Sequence, residues 1–471
     1  MAVMRDQRPN ILILMTDEQR FDQLGCINPS LHTPNLDRLA ADGVLFENTY
    51  TTNPSCVPAR ASLMTGQYPS QCGVPTYVTY LPDHEKTFMT RLRDGGYTTA
   101  VVGKQHFGPT AIDKGYDYEE IIDPHFAPDN LAEHLGENSW FDYLAANGVS
   151  GLNDLAEPLF PFVQRWKADP GFHIDTHIGQ QTLRWLREDR PHDKPWFMFS
   201  SFSGPHMPFD GLGLPHERWY DDTEIDMPQT TVEDLKNKPP HQMVAHGTTE
   251  PGALSDEQIR QARLSSHANV SLIDEQIGRM IDYLKAEDLY DQTLILFISD
   301  HGDYLGDFGK LGKSQCLAEV LIRIPLIYKP AGPTAAGVHH SAFVNLVDIA
   351  PTCMAAAKLD RPGEWLGRDL ADVASNDDRP PAQPDRIYME VGRIRGLRVG
   401  DWKISHYFER DYGELYDLAS DPWEKNNLWA SPQHFAKRES MRAMLLDEVM
   451  RLSPRHKAPW NDQSDPPSPE I

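Results

Sequence analysis

Cys56 is the first residue in this chain whose setting suggests chemistry. In the run CVPAR it stands two residues before Pro58 and four before Arg60. Pro58 suits the first turn of a helix, Ala59 to Thr65 is good helix-forming sequence, and Gly66 suits its end. Cys56 is therefore expected at a helix N-terminus, where the macrodipole favours negative charge on a nucleophile or a bound anion. Two apolar runs elsewhere end on ligand-type residues. Residues 11–15 are too few for anything but a buried strand and lead to Asp17 and Glu18, while 294–298 repeat the device and deliver Asp300 and His301. Ligands of open α/β sheets gather at the carboxyl ends of strands, so these two strand ends and Cys56 are expected to converge.

The elements that would position these residues alternate. A strand near 10–15 precedes a helix opened by Thr33 and Pro34 and closed at Gly43, and a strand follows through Tyr50. Further continuous apolar runs at 97–102, 196–202, 294–298 and 324–328 read as strands of a sheet covered on both faces. Ser255 with Gln258 makes a capping box for a long helix reaching about Lys285. The fold class is α/β: a large mixed, mostly parallel sheet sandwiched by helices. Residues 123–170 read as irregular, aromatic and acidic, and 211–252 as loop-like; both are expected to build substrate walls. The proline-rich segment 372–385 reads as a linker between a catalytic domain, 1–371, and a small C-terminal α+β subdomain, 386–471. That subdomain is expected to hold short strands joined by glycine turns, then an amphipathic helix carrying Phe435, Met441, Met444, Leu445 and Val449.

The 471 residues suffice for one large core and a subdomain. With 69 acidic against 44 basic residues, the net charge of −25 argues against nucleic acid and anionic membranes as partners, and mildly against long sulfated polyanions, unless a local basic pocket overrides it. Cys26, Cys56, Cys72, Cys316 and Cys353 form an odd set without close-spaced pairs, which indicates neither a disulfide framework nor a zinc ribbon and fits a reducing compartment. MAVMRDQRPN lacks the apolar stretch of a signal peptide and no apolar run exceeds strand length, so the expectation is a cytoplasmic protein that makes no use of a membrane. His173 and His177 have helical i,i+4 spacing but no adjacent glutamate or third ligand, and read as a helix face rather than a zinc site. His339 and His340 read as loop residues.

Several short motifs recur in one order: TDEQR after the first strand, CVPAR with its helix, GKQHFG at 103–108, SGPHMPF at 203–209, SDHG at 299–302, Gly312–Lys313, and the C-terminal GDWK and GELYDLASDP. By these the chain resembles, over most of its length, a type I sulfatase of the alkaline phosphatase superfamily. The resemblance implies an alkaline-phosphatase-like fold and hydrolysis of sulfate monoesters. It implies that a maturation enzyme oxidises Cys56 to formylglycine, whose hydrated gem-diol attacks sulfur with one oxygen and later expels sulfate with the other. It further implies one divalent metal on Asp17, Glu18, Asp300, His301 and the modified Cys56. Such oxygen-rich ligands suit Ca2+, and the one imidazole leaves Mn2+ or Mg2+ open. The family usually has aspartate where Glu18 stands and often asparagine where His301 stands. Arg60 and Lys104 would hold the formylglycine hydroxyl and the sulfate, and His106 would take a proton from the covalent intermediate. His206 and Lys313 would face the ester oxygen, with His206 as the acid because its ordinary pKa lies near neutrality. A phosphonate monoester or phosphodiester hydrolase of the same superfamily is a second reading, against which the Lys104–His106 pair argues, since those relatives tend to carry uncharged hydroxyl residues there. A non-catalytic anion-binding protein with unmodified Cys56 is a third. The partner is a small-molecule sulfate ester, whether aryl, choline, alkyl or sugar, and a homo-oligomer is left open.

Overall fold

A computed structural model describes residues 8–108, 113–123, 128–243, 247–332, 337–375 and 386–452. At its centre, four neighbouring parallel strands lie in the order Thr293–Ser299, Asn10–Thr16, Trp196–Ser201 and Thr98–Gly103, extended at one edge by Tyr118–Ile121. Towards the other edge, Leu326–Lys329 runs antiparallel between Thr293–Ser299 and Val44–Tyr50, and Val338–Asn345 pairs in parallel with Val44–Tyr50. The run expected as one strand over 324–328 is divided into Arg323–Ile324 and Leu326–Lys329, because Pro325 has no N–H to give the ladder.

Alternate residues of Asn10–Thr16 explain why this sequence is buried on both faces. Ile11, Ile13 and Met15 join Val57, Ala61 and Leu63 of the Cys56–Thr65 helix on one side, while Leu12 and Leu14 join Ile178 and Ile273 on the other. Ile178 belongs to the Ile174–Glu188 helix and Ile273 to Asp256–Ala286, whose start carries both hydrogen bonds of the Ser255–Gln258 capping box. Each such aliphatic side chain removed from water contributes roughly 1.5–3 kcal/mol, so a register slip in this strand would be heavily penalised. The register pairs Thr16 with Ser299 and Met15 with Ser201, and Gly103 with Ser201. Four strands thus end level, and the residues just beyond them share one rim.

Two further expectations need correction. Residues 123–170 are not simply irregular: they contain the helix Ser139–Ala146 and a hairpin, Ala156–Phe160 with Val163–Trp166, onto which Phe209–Leu212 adds a third strand. Asn138 caps that helix through Phe141 N, a local signal that the aromatic composition obscured. His339 and His340 lie in the strand Val338–Asn345, with His340 buried against Phe46.

The strands Arg386–Val391, Ile394–Val399, Trp402–Tyr407 and Gly413–Asp417 form an antiparallel meander. The helix Phe435–Leu452 covers one face through Met441, Leu445 and Leu452, with Met444 and Val449 partly buried, while Phe435 points outward at 56% exposure. The meander docks beside the Cys56 loop, where Glu390 N donates to Thr52 O and Asn53 Nδ2 donates to Glu390 O. Of the expected linker, 372–375 complete the helix Leu370–Ser375, and 376–385 lie outside the described residues.

Candidate active site

Cys56 opens its helix as expected: Ser55 precedes it in an extended conformation and Gly66 closes it at φ +66. The Cys56 Sγ lies 3.0 Å from His301 Nε2 and 3.6 Å from Asp17 Oδ1. Donor atoms of Asp17, Cys56, Asp300 and His301 all fall within 4.8 Å of one another, and all four residues are buried. The two strand ends are tied directly, since Asp300 Oδ1 accepts from Glu18 N at 3.0 Å and Ser299 Oγ accepts from Gln19 N. His301 Nδ1 is 3.0 Å from Gly302 O, a contact in which Nδ1 donates and Nε2 is left to face Cys56.

Positive groups surround this centre. Arg60, one helical turn beyond Cys56, donates through Nε to Asp300 Oδ2 at 2.8 Å and through Nη1 to Ser201 Oγ and Lys104 O. Its Nη2 is buried with no hydrogen-bond partner among the described residues. Lys104 Nζ is bonded to Asp17 Oδ2. Lys104 reaches this position because Gly103 turns the chain at φ +96, where a Cβ would collide with Ser201 O at 2.0 Å. Glu18 and His106 both take positive φ, +66 and +52, a strain of order 1 kcal/mol or more that packing sustains at the two strand ends. His106 N donates to Asp123 Oδ2, and its ring lines the same cavity as Cys56 and helps to hold the thiol down.

The electrostatics follow from this crowding. Burial opposes ionisation of Cys56, yet Lys104, Lys313 and His301 hold its thiol well below the usual range. Asp17 is likewise pushed up by burial and by Cys56, but Lys104, His206 and Arg60 keep it ionised well below the usual carboxylate range. Burial disfavours a charged His301, whereas Asp300 and Cys56 raise it to about 9.

Glu18 does not join the four-residue cluster. Its Oε2 turns to Lys313 Nζ at 2.8 Å and His206 Nε2 at 3.0 Å. Lys313 Nζ also lies 2.9 Å from His206 Nε2, while His206 Nδ1 faces Met207 O at 2.5 Å. Burial, then Lys313, lowers His206 to about 4, so at neutral pH it is an uncharged acceptor of a Lys313 proton. Burial pulls Lys313 down, but Cys56, Glu18 and Asp17 outweigh it and keep the ammonium charged.

These side chains open onto a cavity of about 350 Å3, with Cys56, His106, His206 and Lys313 on its inner wall and Tyr77 and Gln315 on its outer wall. A larger cleft of about 750 Å3 lies between the C-terminal meander and its helix, with no cysteine or serine in its lining. Sequence reasoning missed Asp303, Asp175 and Tyr77. Asp303 Oδ1 accepts from Leu305 N and Gly312 N and so folds the loop that delivers Lys313; its place three residues after Asp300 is the only signal it gave. Asp175 Oδ1 accepts from Ser203 N and Gly204 N and holds the loop that carries His206. The expected helix pair separates: His173 is the N-cap of Ile174–Glu188 and pairs with Asp210 at 3.1 Å, and His177 is buried against Ser139.

Comparison with known proteins agrees with this geometry. The sulfatase family model matches residues 9–359, and a model for the C-terminal part of N-sulphoglucosamine sulphohydrolase matches 306–451. Choline-sulfatase of Rhizobium meliloti is 31% identical over 446 residues, covering 90% of this chain and 83% of its own length. Arylsulfatase of Clostridium perfringens is 28% identical, covering 94% of each chain. Among solved structures, a phosphonate monoester hydrolase of Agrobacterium radiobacter superposes with a TM-score of 0.80 at 24% identity, covering 94% of this chain and 96% of that one. At that identity the likeness speaks to the fold alone.

Proposed function

The chain belongs to the sulfatase family, and from that premise we propose that it hydrolyses sulfate monoesters, releasing sulfate and an alcohol, with Cys56 as the precursor of the nucleophile. The observation that carries this reading is the meeting of Cys56 with Asp17, Asp300 and His301 inside a ring of Arg60, Lys104 and Lys313. Oxidised to formylglycine by a maturation enzyme, Cys56 would supply a gem-diol, one oxygen to attack sulfur and a second to release the sulfate afterwards.

A divalent metal fits the buried donors of Asp17, Asp300 and His301 beside Cys56, and would supply Lewis-acid charge to the nucleophile and to sulfate; three carboxylate or imidazole donors plus an oxygen nucleophile suit Ca2+, with Mn2+ or Mg2+ also compatible. Glu18 holds Lys313 instead of ligating. Arg60 orients Asp300 and keeps its buried Nη2 for a sulfate or nucleophile oxygen. Lys104 neutralises Asp17 from the sheet side and offers a second cationic contact. His106, beside Cys56 on the wall of the same cavity, would take a proton from the nucleophile. On the leaving-group side, the transferable proton rests on Lys313 Nζ with neutral His206 as its acceptor, so the acid is the pair rather than His206 alone. All five cysteines are free, which supports a reducing, cytoplasmic setting, and among the described residues no helix is long and apolar enough to cross a membrane.

Mass spectrometry of the Cys56 peptide, from protein made with a maturation enzyme present, tests the nucleophile: an aldehyde in place of the thiol is expected. An active preparation holding only intact thiol defeats it. A panel of sulfate, phosphate and phosphonate esters tests the reaction class, and preference for the phosphonate by orders of magnitude would replace the sulfatase reading with the phosphonate hydrolase one.

A further inference from the structure

Gln315 borders two cavities at once. It closes the outer end of the active-site cavity beside Lys313 and Ser314, and it lines a neighbouring cleft of about 250 Å3 on the C-terminal meander. That cleft is walled by Gly392 and Arg393 of a hairpin turn, by Tyr407 and Phe408, and by Arg410 and Tyr412. The two spaces abut closely, for a Cβ on Gly392 would stand 3.9 Å from Gln315 Oε1.

In a chain of net charge −25, the described lining of both cavities contains no carboxylate side chain. Its permanent charges are Lys313, Arg393 and Arg410. Arg393 is paired with Glu409 at 2.9 Å, but both side chains are about two-thirds exposed, and such a pair contributes little and exchanges readily for a ligand anion. The Arg410 side chain has no hydrogen bond or ion pair among the described residues and is exposed. Aromatic faces accompany the charges: Tyr77 at the mouth of the active-site cavity and Phe408 in the cleft are 56% and 54% exposed. Flat apolar faces beside cationic forks suit a sugar ring that carries an anionic substituent.

We propose, resting on the sulfatase reading above, that the leaving alcohol is a short anionic saccharide: its ring next to the ester lies against Tyr77, and a second sulfate or carboxylate on the following ring is bound by Arg393 and Arg410. The acidity of the whole chain does not forbid this, since salt screens its repulsion over about 8 Å at physiological ionic strength and two arginines at contact decide locally. A cationic alcohol such as choline meets no carboxylate in the described lining of either cavity.

Cys56→Ala protein, which cannot turn over its ligand, is titrated calorimetrically with a disaccharide bearing a sulfate on each ring and with the same disaccharide sulfated only on the reacting ring. The doubly sulfated sugar is expected to bind at least tenfold tighter, and adding Arg393→Ala and Arg410→Ala is expected to abolish that preference. Equal binding of the two sugars, or a preference that survives both substitutions, overturns the subsite. Matured enzyme with the same two arginine substitutions should cleave nitrophenyl sulfate at the wild-type rate; a large loss there also overturns it, because the arginines would then be supporting the reaction centre. Failure of the matured wild type to cleave nitrophenyl sulfate counts instead against the sulfatase reading, which the binding comparison does not depend on.

Discussion

On the sheet side of the active site, Asp17, Arg60, Lys104 and Asp300 are wholly buried, and each is held by strand register or by partners from two or more elements. On the opposite side, His206, Lys313 and Tyr77 stand on loops, partly open to solvent, and two buried carboxylates, Asp175 in the first turn of the Ile174–Glu188 helix and Asp303 in a loop, give the His206 and Lys313 loops their shape. The first half is fixed by the register of the sheet, and it carries the proposed nucleophile and the charge around it. The second half presents the side chains of His206, Lys313 and Tyr77 from loops anchored by buried Phe209, Leu305, Phe308 and Leu311, and in the proposed reaction it would face the alcohol. Reaction type is therefore invested in the scaffold and substrate choice in the loops.

The sharpest way to break this comparison is Asp300→Ala. On the sheet side one residue serves both chemistry and folding, so turnover should fall at least a hundredfold and metal content should drop with it. Stability should fall by up to about 3–5 kcal/mol, because Arg60 loses the closer of its two buried carboxylate partners. Turnover, metal analysis and urea denaturation of the same preparation check all three. Full metal content together with full activity would remove Asp300 from the site.

Loop-side substitutions should separate what Asp300 joins. Lys313→Ala is expected to cost about a hundredfold in turnover of alkyl sulfates, with a smaller loss on nitrophenyl sulfate, whose leaving oxygen needs little protonation. His206→Ala should show the same bias to a lesser degree, and both proteins should retain wild-type melting temperature within a few degrees. An equal loss on alkyl and aryl esters would dismiss the Lys313–His206 pair as the acid. Asp175→Ala acts one step further out. It removes the acceptor of Ser203 N and Gly204 N, so alkyl turnover should fall about tenfold and stability by about 1–3 kcal/mol, with metal content unchanged. A stability loss without any alkyl-over-aryl bias would mean that Asp175 does not act through His206.

The same division governs what could be read from sequence. The two strand ends and the Cys56 helix were legible because burial on both faces imposes a continuous apolar run, and because Pro58 and Gly66 mark a helix start and end. The motifs around Lys104, His206 and Lys313 placed those residues near Cys56 without revealing how they are held. Glu18 reads like a fourth ligand beside Asp17; its left-handed backbone and Lys313, a residue 295 positions away, hold its Oε2 on the His206 side, a placement that no local signal announces. The 123–170 insertion was illegible for a related reason: its short strand Val163–Trp166 pairs with Phe209–Leu212, far along the chain, and is not announced by a periodicity of its own.

The smallest effect expected lies far from the chemistry and tests whether the scaffold half is independent of it. His177 is buried, with Nε2 at 3.0 Å from Ser139 Oγ and its ring stacked on Tyr143 at a centroid distance of 5.2 Å. Burial lowers it from the usual value near 6.5 to about 4, so on acidification the unfolded chain takes the proton first. Its contribution is therefore complete above about pH 6.5 and is lost progressively as pH falls towards 4. Between pH 7 and pH 5 this one imidazole should remove about 2 kcal/mol of stability, at roughly 1.4 kcal/mol for each pH unit below 6.5. Urea midpoints of wild type and His177→Gln at the two pH values measure it: the variant should lose about 2 kcal/mol less than wild type on acidification, while its turnover of nitrophenyl sulfate at pH 7 stays unchanged. An identical pH dependence in both proteins would show that His177 does not titrate as its burial requires, and a fall in turnover would show that the scaffold and the site are coupled through this face of the sheet.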